Sequence, residues 1–100
     1  STANITVSDD VSKAEADAID AYNNFSGVVT LTSISDTVAN IKAVHTNPNI
    51  SIASATINVT DAASYNDATD INVFTTAQVT LQSVEDTNTN ILKIDQIGSS

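Results

Sequence analysis

The chain has 100 residues and a net charge of −9, with twelve acidic residues against three basic ones, Lys13, Lys42 and Lys93. This length suits one domain or a piece of a larger array. The charge excludes the basic surface that nucleic acid requires and disfavours anionic membranes. The chain has no Cys, which excludes disulfides and thiolate metal sites. We therefore expect partners such as cations, neutral glycans or other copies of the chain.

The polarity of this sequence comes mostly from uncharged residues. Charged residues make up 15% of the chain, against about 25% in an average soluble protein, and Ser, Thr and Asn supply the rest. With 41% apolar and only 4% aromatic residues, the core is expected to consist of Ile, Val, Leu and Ala. Such an exterior is typical of extracellular structural and adhesive segments. No apolar run approaches the roughly 20 residues of a membrane span.

The first predicted strand covers residues 5–9, "ITVSD", where apolar and hydroxyl residues alternate. A helix is expected to follow, with a capping box formed by Ser12 and Glu15 and a stop at Gly27. The residues predicted to share its apolar face are Val11, Ala14, Ala18, Ile19, Tyr22 and Phe25.

The second predicted strand is "VTLTSISD" at 29–36, and a shorter helix is expected after it. Its apolar stripe is Val38, Ile41 and Val44, and "TNPN" at 46–49 ends it. The alternating pattern therefore gives way to a helical pattern for a second time.

The third predicted strand is "ATINVTD" at 55–61, and the segment after it is ambiguous. Ala62, Ala63 and Tyr65 allow a helix start, but "DINVFTT" at 70–76 favours an extended segment. A fourth strand is predicted over "VTLQSVED" at 79–86. The helical stripe after it contains Ile91 and Ile94.

An aliphatic residue, a spacer and an Asp recur through the chain. The four Asp residues are Asp9, Asp36, Asp61 and Asp86, with spacings of 27, 25 and 25 residues. Residues 29–41, "VTLTSISDTVANI", closely match residues 79–91, "VTLQSVEDTNTNI". A period near 25 with a double period near 50 is typical of repeat proteins. We predict one domain over 1–98, with half-repeats at about 4–27, 28–49, 50–78 and 79–98, and a tail at 99–100.

Each recurring Asp lies where a predicted strand ends and a helix begins. An Asp at that junction can accept hydrogen bonds from the free amides of the first helical turn, so Asp36 and Asp86 are predicted as N-terminal caps. Repeated strand–helix units give parallel strands joined by right-handed crossovers. The predicted fold is therefore α/β, a small parallel solenoid of strand–helix units.

Several acidic residues are candidate calcium ligands because calcium binds several oxygen ligands in a compact loop. The candidates are Asp9, Asp10, Asp61, Asp67 and Asp70, with help from Asn66. Neither an EF-hand pattern nor a glycine-rich calcium nonapeptide is present. The favoured alternative is helix capping by the recurring Asp residues and a solvated face for the others. No other cofactor is expected.

Three further polar residues have structural interpretations. His45 is the only His, and a single His without Cys does not make a usual zinc site. We expect it to be exposed at the end of a helix. Asn40 and Asn90 hold equivalent places in "DTxxNI" and are predicted to brace a turn. The weaker alternative for both is ligand contact.

The phrase "SDTVANI" at 35–41, with the alternation before it, resembles a repeat of large secreted bacterial surface proteins of the RTX-type adhesin and haemolysin-like kind. The resemblance spans the four half-repeats and implies a repetitive, exported, structural or adhesive segment. No functional residue follows from it. We expect a non-enzymatic structural segment of an extracellular surface, adhesin or self-assembling fibre protein. The alternative is a calcium- or glycan-binding adhesion module.

Overall fold

The computed structural model describes residues 3–23 and 27–93 and has an α/β fold. In these residues the strands are β1 (Ile5–Val11), β2 (Val29–Asp36), β3 (Ile50–Ser51), β4 (Thr56–Ala63) and β5 (Val79–Val84). The helices are α1 (Lys13–Tyr22), α2 (Val38–His45), α3 (Tyr65–Asn72) and α4 (Asn88–Ile91). Phe25, Ile94 and the tail at 99–100 lie outside the described residues.

All strands belong to one parallel sheet with the order β1-β2-β4-β5. The short strand β3 pairs with the beginning of β2, and β4 pairs with the remainder of the same edge. α1, α2 and α3 therefore each connect a strand to a neighbouring strand of the sheet. The predicted α/β class and the parallel pairing are confirmed, and the sheet is open rather than closed into a barrel.

One face of the sheet and the helices above it form the core. Along β2 the side chains of Val29, Leu31 and Ile34 are each 0% exposed. They pack with the apolar stripe of α2, in which Ile41 is 0% and Val44 is 1% exposed. The core is built from aliphatic residues, as the composition predicts, and the stripe on α2 is confirmed.

The other face of the sheet is polar and largely open to solvent. Thr32, Thr60, Thr80 and Gln82 are exposed on it. Parallel sheets usually have both faces covered, so an open face is unusual. Here hydroxyl and amide side chains occupy the positions at which a covered sheet would carry aliphatic residues.

Two strands contain an extra residue relative to their partners. The register of β1 against β2 shifts between Val7 and Asp10, and that of β4 against β5 shifts between Val59 and Ala62. Such bulges bend a strand and redirect its side chains. In both cases a recurring aspartate, Asp9 or Asp61, lies inside the bulge.

The predicted face of the first helix is confirmed only in part. Val11 is buried and Ile19 packs against the core, but Ala14, Ala18 and Tyr22 are exposed. Ala16 and Asp20 are buried instead. The alanines of this helix fit more than one apolar stripe, and a buried Asp is not visible as hydrophobic periodicity. The helix also ends at Tyr22, well before Gly27, whose positive φ of 79° turns the chain towards β2.

The third unit also departs from expectation. Ala62 and Ala63 belong to β4, and residues 70–72, predicted to be extended, form the end of α3. A capping box of Ser64 and Asp67 starts this helix. Residues 64–67 contain the capping-box pattern that predicts a helix start, but the apolar residues of "DINVF" at 70–74 favour a strand.

Truncation of Ile41 to Ala should lower the free energy of unfolding by about 2–5 kcal/mol, because it leaves a cavity under the sheet. Thr80→Ala on the open face is the matched control and should change stability by about 0.5 kcal/mol at most. Urea denaturation followed by circular dichroism measures both values. Equal losses for the two variants would contradict the assignment of the buried and open faces.

Candidate functional site

The aspartate at the end of β2 bonds to two helices at once. Its Oδ2 accepts a hydrogen bond from the backbone N–H of Lys13, the first residue of α1, at 2.8 Å. Its Oδ1 accepts from the N–H of Thr37 at 2.7 Å and from Nδ2 of Asn40 at 2.8 Å. Asp36 therefore links the helix of the preceding unit to the junction that starts its own helix.

The same bond recurs at the next two junctions. Oδ1 of Asp61 accepts from the N–H of Val38, the first residue of α2, at 2.8 Å. Oδ2 of Asp86 accepts from the N–H of Tyr65, the first residue of α3, at 2.8 Å. We call Asp36, Asp61 and Asp86 the inter-unit aspartates. Each accepts from the first amide of the preceding helix in the chain; Asp36 and Asp61 belong to the strand after that helix, and Asp86 lies just beyond it.

The chemistry of this bond follows from helix geometry. The first amides of a helix have no partner within the helix, and the helix N-terminus carries partial positive charge. A carboxylate is therefore a favourable acceptor there, and bonds to a charged acceptor are stronger than neutral ones. The inter-unit aspartates satisfy amides that their own unit leaves free.

The predicted caps are corrected in one respect. Asp36 and Asp86 do not occupy the N-cap positions of the helices that follow them. Those positions belong to Thr37 and Thr87, whose hydroxyl oxygens accept from the N–H groups of Asn40 and Asn90, each at 3.3 Å. The carboxylate lies one residue earlier, where the register of the sheet places it beside the neighbouring helix.

The paired asparagines brace these junctions, as predicted. Nδ2 of Asn40 donates to Asp36, and Nδ2 of Asn90 donates to Oδ1 of Asp86 at 3.0 Å. The recurring "DTxxN" is thus a local network in which Thr caps the helix and Asn fixes the carboxylate.

The hydrogen bonds lower the pKa of two inter-unit aspartates. Burial alone raises the pKa of Asp36, but the amides of Lys13, Asn40 and Thr37 outweigh it and hold the pKa below its ordinary value. The pKa of Asp86 is also lowered, chiefly by the Tyr65 amide and then by the amides of Thr87 and Asn90. Both carboxylates are therefore held in the ionised, accepting form.

Ion pairs join the second and third helices. Nζ of Lys42 lies 2.8 Å from Oδ1 of Asp67 and 3.5 Å from Oδ2 of Asp70. The Lys42 bond lowers the pKa of Asp67, and the same bond raises the pKa of Lys42. The side chains are about a third exposed for Lys42 and Asp67 and 60% exposed for Asp70, so each pair contributes about 1 kcal/mol at most.

The five calcium candidates are distributed over separate contacts. Asp9 is exposed in the β1 bulge, and the neighbouring Asp10 accepts from Oγ of Ser33 at 2.6 Å. Asp61 binds the α2 amide, and Asp67 and Asp70 bind Lys42. Within residues 3–23 and 27–93, no three His, Cys, Asp or Glu side chains form a group that could hold a metal ion. Calcium binding at these residues stays a prediction.

Asp20 is a buried acidic residue outside the predicted sites. It is 1% exposed on the inner face of α1, and its Oδ2 accepts from Nδ2 of Asn47 at 3.2 Å. The contact ties the first helix to the loop after the second one. Only tertiary packing separates this residue from the exposed acidic residues of the same helix, so no pattern in the sequence identifies it.

The only histidine lies exposed at the last position of α2, as expected. Its ring stacks on that of Phe74, with centroids 3.8 Å apart and planes 9° apart. An open depression of about 290 Å³ lies beside this pair, and Pro48, Ile50 and Ile52 also line it. The stacking connects the end of α2 to the turn that follows α3.

Comparisons with protein-family models, with curated proteins and with solved structures found no match to this chain. In the part of the chain that the structure describes, no helix is long and apolar enough to cross a membrane. The inter-unit contacts are therefore the features from which a function can be inferred.

Asp36→Asn and Asp61→Asn are expected to differ. Both oxygens of Asp36 accept hydrogen bonds, so the NH2 group of Asn must face a donor in either orientation, and we expect a loss of about 1–2 kcal/mol. Asp61 uses only Oδ1 in its inter-unit bond. Asn keeps that acceptor, so its loss should be about 0.5 kcal/mol. Urea denaturation of both variants measures the difference, and equal losses would contradict the two-sided role of Asp36.

The free energy of unfolding should also depend on whether Asp36 is ionised. A carboxylate whose pKa is lowered on folding stabilises the folded state fully above its unfolded pKa, about pH 4. That contribution is lost as the pH falls through the folded pKa. The gap in unfolding free energy between wild type and Asp36→Asn should therefore be constant from pH 7 to about 5 and narrow below about 4. Denaturation series across this range measure the gap, and a gap that widens on acidification would contradict the assignment.

Proposed function

We propose that this protein is a non-enzymatic structural segment of an exported bacterial surface, adhesin or fibre protein, built as a short α/β solenoid. Its strand–helix units would act as a spacer whose length and stiffness are its function. The observation that carries the proposal is the inter-unit bond, because the same 2.8 Å contact joins successive units at three junctions.

A spacer of this kind needs each unit to hold the next one. In solenoids the stability is approximately the sum of unit terms and nearest-neighbour interface terms. The inter-unit aspartates supply a polar interface term, while Leu31, Ile57 and Ile71 belong to a continuous apolar core under the sheet. Both terms recur along the chain, which supports a role in extension.

The exported location is part of the same proposal. The resemblance of "SDTVANI" at 35–41 to repeats of RTX-type surface proteins supports it. So does the exterior, which combines a net charge of −9 with many Ser, Thr and Asn residues. A charge of this size keeps a protein soluble and limits non-specific contact with other acidic surfaces.

The open polar face of the sheet favours a second candidate function, a calcium- or glycan-binding adhesion module. Thr6, Thr30 and Ser51 form one cross-strand row on this face, and Asp10, Ser33 and Thr56 form another. Hydroxyl and carboxylate groups in rows could bind sugar hydroxyls or a hard cation.

Thermal unfolding with and without calcium separates the two candidates. For a structural segment, the melting temperature should be the same in excess calcium and in chelator, and Asp61→Ala should lower it equally in both. The second candidate requires a melting temperature that rises with calcium, and Asp10→Asn on the open face should reduce that rise. Such a rise would overturn the structural proposal.

A companion measurement tests the stacked interface itself. In Asp61→Ala, hydrogen exchange should accelerate most at the first turn of α2 and at β4, the two elements that Asp61 joins. Thr60→Ala, an exposed neighbour on the same strand, is the control and should leave exchange unchanged. Unchanged exchange in Asp61→Ala would mean that the inter-unit bond does not hold the units together.

A further inference from the structure

We propose that two copies of this chain associate head to tail, with the free edge of β5 in one copy pairing in parallel with β1 of a second copy. This inference rests on the proposed function, since it names the partner of a strand–helix stack. It specifies which ends of the two copies meet and which residues of the two strands pair.

Among residues 3–23 and 27–93, the sheet has one free strand edge at each end, because β1 pairs only with β2 and β5 pairs only with β4. Free edges expose unpaired N–H and C=O groups that can template another strand. The two edges differ, so a contact between them is head to tail.

The chain already contains the contact that these edges would make. β5 is a near copy of β2, since both begin with Val-Thr-Leu. The first residues of β1, "ITV" at 5–7, similarly match "INV" at 57–59 in β4. Because β2 pairs with β4 inside the chain, β5 should pair with β1 of a second copy through the same chemistry.

The internal contact also fixes the register. In β2 and β4, Ser35 lies opposite Asn58 and Asp36 lies opposite Val59. The equivalent pairs across the new contact are Glu85 with Thr6 of the second copy, and Asp86 with Val7 of the second copy. Parallel pairing is therefore expected over the same residues as in the internal contact.

Differences in burial show which surface the contact would cover. Ile57 and Val59 are 1% and 0% exposed, whereas their counterparts Ile5 and Val7 in β1 are only partly buried. The far end shows the same pattern.

At that end Ile34 and Ile41 are both 0% exposed. Their counterparts are Val84, which is partly buried, and Ile91, which is 37% exposed. The two ends of the stack thus carry the apolar positions that an adjacent unit covers in the interior.

Electrostatic repulsion opposes the contact. Asp9 and Asp10 lie at one end, Glu85 and Asp86 lie at the other, and the whole chain carries a charge of −9. The Debye length falls from about 10 Å at 0.1 M salt to about 3 Å at 1 M. Association should therefore strengthen as salt is added.

Light scattering after size exclusion, over a concentration series at 0.1 M and 1 M sodium chloride, tests the association. The mean mass should rise with concentration, and more so at 1 M. Thr6→Pro should keep the protein monomeric, because the Ile5 amide points to β2 and the next amide, that of Thr6, points to the free edge. Thr6→Ala keeps the amide and should behave as wild type. A wild-type mass that stays monomeric throughout would overturn the proposal.

Disulfide trapping tests the register without relying on the proline variant. The chain has no Cys, so the single variants Thr6→Cys and Glu85→Cys can be mixed in a glutathione redox buffer. Neighbouring strands are about 4.8 Å apart, within disulfide reach, and the mixed dimer should dominate by mass spectrometry. Thr80→Cys, exposed on β5 and five residues before Glu85, is the control and should give no excess over random pairing with Thr6→Cys.

Equal trapping at residues 80 and 85, or a preference for dimers of Thr6→Cys with itself, would overturn the head-to-tail register. The two proposals can fail independently. If the protein is strictly monomeric but Asp61→Ala destabilises it, the proposed structural segment stands and the head-to-tail contact is overturned.

Discussion

The fold depends on one kind of hydrogen bond, from the first amide of a helix to a carboxylate in or just after the next strand. A helix cannot satisfy its first amides internally. In this protein the acceptor for that amide comes from the neighbouring unit at 2.8 Å, at Asp36, Asp61 and Asp86 alike. A single unit is therefore incomplete in its polar contacts as well as in its apolar ones. The sheet supplies the register and the carboxylates fix the helices above it.

The distance along the chain from each aspartate to the helix that follows it takes two values. After Asp36 the helix begins two residues later, at Val38, whereas after Asp61 it begins four residues later, at Tyr65. The bulge in β4 absorbs part of the difference and leaves Asp61 beside the helix of the preceding unit. Units with the short spacing use Thr caps and a bracing Asn, and units with the long spacing use a Ser capping box. The two spacings are therefore accompanied by two kinds of helix start.

Sequence patterns predicted what depends on local chemistry. The alternation in "VTLTSISD", the stripe of α2 and the capping box at Ser12 each involve residues close in the chain, and each agrees with the structure. The partner of Asp36 was not predictable in this way, because Lys13 lies 23 residues away and only the register of β1 against β2 brings the two together. The buried face of α1 was predicted only in part for a related reason, since Asp20 is buried through a tertiary contact with Asn47.

The open face shows how a parallel sheet can do without a second covering layer. Its side chains bond across strands: Oγ1 of Thr32 donates to the carbonyl of Val7 at 2.8 Å, and Oγ of Ser33 donates to Asp10 at 2.6 Å. These bonds hold short side chains, which lose little conformational entropy on ordering. In both bonds the donor lies in β2 and the acceptor lies in β1, so the two bonds run in the same direction across the sheet. The inter-unit carboxylates likewise all point from a later strand to an earlier helix, so every junction has the same polarity. An array built on this contact has two chemically different ends, and it can be extended at either end only by a unit of the same orientation.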